Sequence, residues 1–155
     1  MKRKVYLMGI DHRLQRVGTF GVRAETSAEL GSTIKELLGK LLIEAIVEEL
    51  GIEGLGMHEA DSGSVGLLIA RELRLPHLYC DPPAEIRLRL QIETPAERQR
   101  YWLGQLKGFR WFPCLFILEP AAVTSFADLL ARSEFDFAPT ILFPEWVPSM
   151  PLENT

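Results

Sequence analysis

Cysteine is scarce in this chain, which has only Cys80 and Cys114. Two thiols are too few for a disulfide framework, and too few for a structural zinc site built on sulfur ligands. Each lies in or beside an apolar run, where cysteine behaves as a small buried hydrophobe. Long hydrophobic runs are missing too. The basic start Met1-Lys2-Arg3-Lys4 precedes an apolar stretch that stops at Gly9, too short for a signal-peptide core, and no run approaches a membrane span. A reducing cytoplasm, with no membrane partner, is the expectation. An excess of positive charge is also lacking: the net charge is −4 and the pI near 5.4, which argues against a surface that grips nucleic acid. Glycine-rich phosphate loops, the Gly-x-Ser-x-Gly elbow, CxxC and HExxH are all absent.

What is present is an ordinary globular composition, 47% hydrophobic and 25% charged over 155 residues. That length fits one domain, which buries about seven-tenths of its unfolded surface. The first organised stretch is Val5-Tyr6-Leu7-Met8-Gly9-Ile10-Asp11-His12-Arg13. It predicts a strand over 4–9, followed by polar residues. The spacing of Leu30, Ile34, Leu37, Leu38 and Leu41 predicts a helix over 27–40, with Thr26 and Glu29 as a capping box. Ala45-Ile46-Val47 is read as a second strand, the alternative being one helix spanning 27–50, which composition does not exclude. A helix capped by Asp61 or Ser62 follows, carrying Val65, Leu68, Ile69 and Leu73 inward and stopping before Pro76.

His77-Leu78-Tyr79-Cys80 is a short third strand closed by Asp81-Pro82-Pro83. Thr94-Pro95-Ala96-Glu97 combines a capping box with proline at the first helical position and predicts a helix to about Leu106, burying Gln99, Trp102, Leu103 and Leu106. Trp111 to Leu118 is a fourth strand, apolar enough to be covered on both faces. Ser125 opens a further helix, and Ala138 to Phe143 is the fifth strand. Strands alternating with helices imply a single α/β domain over residues 1–143: a mostly parallel sheet of about five strands flanked by helices. Residues 144–155 form a proline-rich tail.

Parallel strands bring four carboxyl ends to one rim: Asp11/His12, Glu48/Glu49, Asp81 and Glu119. Such a set suits acid–base work, or a hard divalent metal held by oxygens and one imidazole. The plainer account is that loop-facing strand ends are polar in any α/β protein, and that His12 bonds nearby backbone. His58, in a glycine-flanked loop, and His77, which starts a strand at the edge away from Asp81, are weaker candidates. Cys80 makes a poor nucleophile because adjacent Asp81 raises a thiol's pKa. The one basic stretch holds Arg87, Arg89, Arg98, Arg100, Lys107 and Arg110, and a solvated helix face explains it more cheaply than an anion site.

Gly9-Ile10-Asp11-His12 after a first strand resembles the GxxH motif of the TraB/ChaN/Tiki-like proteins, also grouped with the erythromycin esterase type. Glu48-Glu49, Cys80-Asp81-Pro82 and Arg98-Gln99 before Tyr101-Trp102 resemble further motifs of small bacterial members. Two positions depart from the pattern. Gln99 stands where the family has glutamate, and Glu119-Pro120-Ala121-Ala122 replaces a second GxxH, with Ala122 in the histidine position. The resemblance spans most of residues 4–132 and implies an ancestral hydrolase-like pocket, some relatives being metal-dependent peptidases and others haem-binding or regulatory.

Three readings stay open. The first is a pocket protein with metal-dependent hydrolase activity on a small-molecule or peptide ligand. Its catalytic groups would be His12, Glu49 and Arg98, and His12, Asp81 and Glu119 would hold magnesium or manganese rather than zinc. The second is a catalytically degenerate relative acting through a partner protein, with Trp111, Phe112 and Trp146 as anchors. The third, nucleotide or phosphate binding around Arg87, Arg98 and Arg100, lacks a glycine loop and ranks last.

Overall fold

The apolar run at the amino terminus forms β1 (Arg3–Gly9) in a computed structural model that describes residues 2–11, 24–50 and 64–142. It is followed by α1 (Ala24–Leu41), β2 (Ala45–Glu48), α2 (Val65–Leu73), β3 (His77–Tyr79), α3 (Ala84–Leu90) and α4 (Pro95–Gly108). The chain continues through β4 (Cys114–Leu118), a 3₁₀ turn (Pro120–Ala122), α5 (Val123–Ala131) and β5 (Phe137–Leu142). All strand pairs are parallel, in the order β3-β2-β4-β1-β5. The result is a single α/β domain with helices on the sheet. Among the described residues no helix is long and apolar enough to cross a membrane.

Side chains alternate along each strand, so the sheet sorts its residues onto two faces. Met8, Ile46, Leu115 and Ile117 pack with Leu30, Ile34, Leu38 and Ile69 of α1 and α2. Leu7, Val47 and Phe116 pack with Trp102, Leu106, Phe126 and Leu130 of α4 and α5. All five residues of β4 are buried, as a strand covered on both faces requires. The chain steps outward from β1 to β2 to β3 through α1 and α2, then returns to β4 and continues to β5 with α4 and α5 on the opposite face. Its direction therefore reverses at the carboxyl ends of β1, β4 and β2, the place where open α/β sheets hold ligands.

The second strand forms as expected, Ala45–Glu48 pairing with both β3 and β4, so the alternative of one helix over 27–50 does not occur. Several other local expectations are corrected. α1 begins at Ala24, so Thr26 stands inside the helix rather than before it. The cap of α2 is Ser64, whose Oγ accepts the Leu67 amide at 3.2 Å; Asp61 and Ser62 lie outside the described residues. β4 starts only after Pro113, which has no N–H to donate to a ladder. α3 was not expected, and none of its residues is buried, so no apolar stripe announced it. The tail over 144–155 also lies outside the described residues.

The cap of α4 forms with a twist. Thr94 Oγ1 accepts the Glu97 amide at 3.2 Å, while its hydroxyl donates to Glu97 Oε1 at 2.8 Å. Glu97 thus closes on the threonine hydroxyl instead of the threonine amide. Thr94→Ala should cost about 1 kcal/mol, because the helix start loses an acceptor. An unchanged urea midpoint at constant slope would show that this cap contributes nothing.

Candidate active site

The dipeptide Glu48-Glu49 ends β2, and strand alternation sends its two carboxylates to opposite faces of the sheet. Both are essentially inaccessible, at 0% and 1% exposure. Buried carboxylates must find donors, and each finds a different set.

Glu48 faces α2. Its Oε1 receives the Ser64 hydroxyl and the Nε2–H of His77, the latter at 2.7 Å. Ser64 has one proton, given to Glu48, so the 3.0 Å contact between Ser64 Oγ and the Tyr79 hydroxyl has tyrosine as donor. The chain runs Tyr79 O–H to Ser64 O–H to Glu48. Burial pushes the Tyr79 phenol up, the Ser64 hydrogen bond opposes this and the Glu48 charge reinforces it, so the phenol keeps its proton at neutral pH. His77 and Tyr79 lie two apart on one face of β3, their rings edge to face with centroids 4.5 Å apart. Glu48 Oε2 is buried and accepts no hydrogen bond. Gly66, in the first turn of α2, leaves room for this carboxylate: a Cβ there would sit 2.5 Å from Glu48 Cδ and Oε1.

Glu49 faces α4. Its Oε1 accepts the Glu119 amide at 3.2 Å, and its Oε2 accepts Arg98 Nη2 at 3.3 Å. Arg98 also grips Asp81 Oδ1 through Nε at 3.0 Å and Nη2 at 2.9 Å. The same Oδ1 accepts Trp102 Nε1 at 2.9 Å, and Oδ2 accepts Arg87 Nη2. Two carboxylates thus balance two guanidiniums. The basic stretch expected as a solvated face is, at these two positions, the counter-charge of a buried acid. The neighbouring Cys80 thiol is pushed well up by its burial and then by the charges of Glu49 and Asp81. Burial also holds the Cys114 thiol far above its usual range. Both are free and buried. Neither should react with iodoacetamide at about pH 8 in the native protein, because the thiolate is the nucleophile. Both should label in denaturant; mass spectrometry counts the adducts, and a native adduct at Cys80 would overturn this.

The structure brings together Glu49, Asp81 and the Glu119 backbone, three of the positions expected on the rim, with Arg98 of the expected catalytic set. The Glu119 residue is exposed and contributes its amide rather than its carboxylate. His12, His58 and Trp146 lie outside the described residues. Magnesium or manganese does not fit the described part of the expected set, because both Asp81 oxygens are taken by arginine and tryptophan donors. Among the described residues no group of three or more His, Cys, Asp or Glu is arranged to hold a metal.

Gly9 meets the 3₁₀ turn: a Cβ there would lie 3.1 Å from Pro120 Cα and 3.0 Å from Val123 Cγ2. The end of β1 at Gly9 therefore abuts the Pro120–Ala122 turn. Gln99 and Ala122 are also joined, through Ser125. The Gln99 amide donates to Ser125 Oγ at 2.8 Å, and Ser125 donates to the Ala122 carbonyl at 3.2 Å.

Sequence reasoning passed over Ser64, Gly66 and Tyr79 and placed His77 too low. β3 has only three residues, so at about 3.3 Å per residue its start lies about 7 Å from its end, within an imidazole's reach of Glu48. The signals were the His-x-Tyr alternation and a Ser-x-Gly at the start of the helix. Comparison with known proteins finds no matching family model, no similar curated protein and no similar solved structure.

Proposed function

We propose that this chain is a TraB/ChaN/Tiki-like pocket protein that hydrolyses a small ester or peptide by acid–base chemistry, with His77 as the base. The observation that carries the reading is the buried carboxylate–imidazole pair. Glu48 accepts His77 Nε2–H, which fixes the tautomer and leaves the Nδ1 lone pair for a ligand. In the proposed step Nδ1 takes a proton from water as the water oxygen bonds to the substrate carbonyl carbon. The imidazolium beside Glu48 then returns that proton to the departing alcohol or amine as its bond to carbon breaks. Tyr79 and Ser64 hold Glu48 in place through their relay of hydroxyls. The resemblance supplies the hydrolase class. Two free buried thiols support a cytoplasmic location, and the acidic net charge supports a non-nucleic-acid ligand.

Hydrolysis of a panel of p-nitrophenyl esters and chromogenic dipeptides tests this. His77→Gln keeps a donor for Glu48 and should lower kcat by about 100-fold or more, the usual contribution of a general base, with EDTA having no effect. Hydrolysis that survives His77→Gln but is lost in EDTA would move the chemistry to a metal site that includes His12. One observation favours the catalytically degenerate reading instead: the acids on the α4 face are already spent in ion pairs. Absence of turnover across the panel, with and without manganese, would support that reading.

A further inference from the structure

At the amino-terminal edge of the sheet, opposite Glu48 and Glu49, lies a cavity of about 800 Å³ between the entry to β1 and the segment joining α4 to β4. Lys2, Arg3, Lys4, Lys107 and Arg110 line it, and no carboxylate does. Five cations collected in a chain of net charge −4 run against the overall balance. None of them makes an ion pair among the described residues; the nearby Asp136 offers only its carbonyl, to the Arg3 amide at 2.8 Å. Arg3 is the telling member. Its guanidinium lies over Phe112 and Phe137, 6.0 and 5.5 Å from the ring centroids, and its Nη1 is buried without a hydrogen-bond partner. A buried guanidinium N–H left unmet is costly, and an anionic oxygen is the partner it suits.

The apolar side of the cavity is aromatic. Phe109 and Phe112, which both line it, pack edge to face at 5.9 Å, and Phe109 is braced from behind by Trp111 at 5.5 Å. The volume falls within the range of about 300–1,000 Å³ typical of small-ligand sites. Together these features describe a compact ligand with several negative charges and one flat apolar part. We propose that this cavity binds a nucleoside di- or triphosphate, the phosphates on Arg3, Lys107 and Arg110 and the base against Phe109 and Phe112. The site uses side chains where a glycine-rich loop would use backbone amides, so the absence of such a loop does not weigh against it. A polymer such as nucleic acid fits less well, because the chain as a whole carries a net charge of −4. The inference is independent of the hydrolase reading.

Titration calorimetry of the full chain in EDTA, with ATP, adenosine, tripolyphosphate and a short single-stranded oligonucleotide, tests it. Lys107 and Arg110 are exposed, so the double variant Lys107→Ala/Arg110→Ala leaves the core intact. ATP should bind saturably, and the double variant should bind it about tenfold or more weakly, as loss of two charge contacts predicts. Raising salt from about 50 to about 300 mM should weaken binding as well. Adenosine alone should not bind, and tripolyphosphate should bind more weakly than ATP. No saturable ATP binding, or binding unchanged in the double variant, would overturn the site. Tripolyphosphate binding as tightly as ATP would remove the base from the proposal, and tighter binding of the oligonucleotide would replace the nucleotide by a nucleic acid.

Discussion

Arg98→Ala should destabilise the protein by about 3–5 kcal/mol, the usual cost of removing one partner from a buried ion-pair network. Arg98 bridges Glu49 and Asp81, whose side chains are 1% and 4% exposed, whereas its own is 30% exposed. Its loss removes a charged donor from Glu49 and leaves Asp81 with Arg87 and Trp102. The measurement is the urea midpoint at constant slope, taken through a double-mutant cycle with Asp81→Asn. Neutralising Asp81 should restore part of the loss, because the uncompensated charge is the source of the penalty. A cost below about 1 kcal/mol would place the pair in the class of solvated surface bridges and contradict the burial.

Gly66→Ala should cost about 2–4 kcal/mol, although alanine is favoured over glycine in a helix by about 1 kcal/mol. The sign is decided by space. The new methyl group would meet the Glu48 carboxylate at 2.5 Å, and that carboxylate is pinned by Ser64 and His77. Relief requires breaking charge-assisted hydrogen bonds, or shifting α2 away from β2 and β3. The same substitution in a Glu48→Ala background should be neutral or stabilising, since the obstructing group is gone. A rise in melting temperature for Gly66→Ala alone would show that Glu48 does not sit against α2.

The division between what was legible in the chain and what was not follows the range of the forces involved. Alternation and period are local, so β1, β2, β4, α4 and their apolar faces could be read from residues such as Leu7, Val47, Phe116 and Trp102. The Thr94 cap is local too, since donor and acceptor lie three residues apart. Helix α3 escaped because none of its residues is buried, so it leaves no apolar stripe. Capping of α2 by Ser64 rather than by Asp61 or Ser62 was equally invisible, as several adjacent residues have the right chemistry.

By itself the sequence determined the class of fold, the parallel sheet and the presence of acids at its carboxyl edge, because those depend on the pattern of neighbouring residues. Only the tertiary structure decided what the acids meet. Glu48 and Glu49 are adjacent and chemically alike, yet one faces Ser64 and His77 and the other faces Arg98, 49 residues away in sequence. That outcome depends on the strand order β3-β2-β4-β1-β5 and on which face α2 and α4 cover. Chain connectivity and long-range burial set both, and no spacing within the chain encodes either.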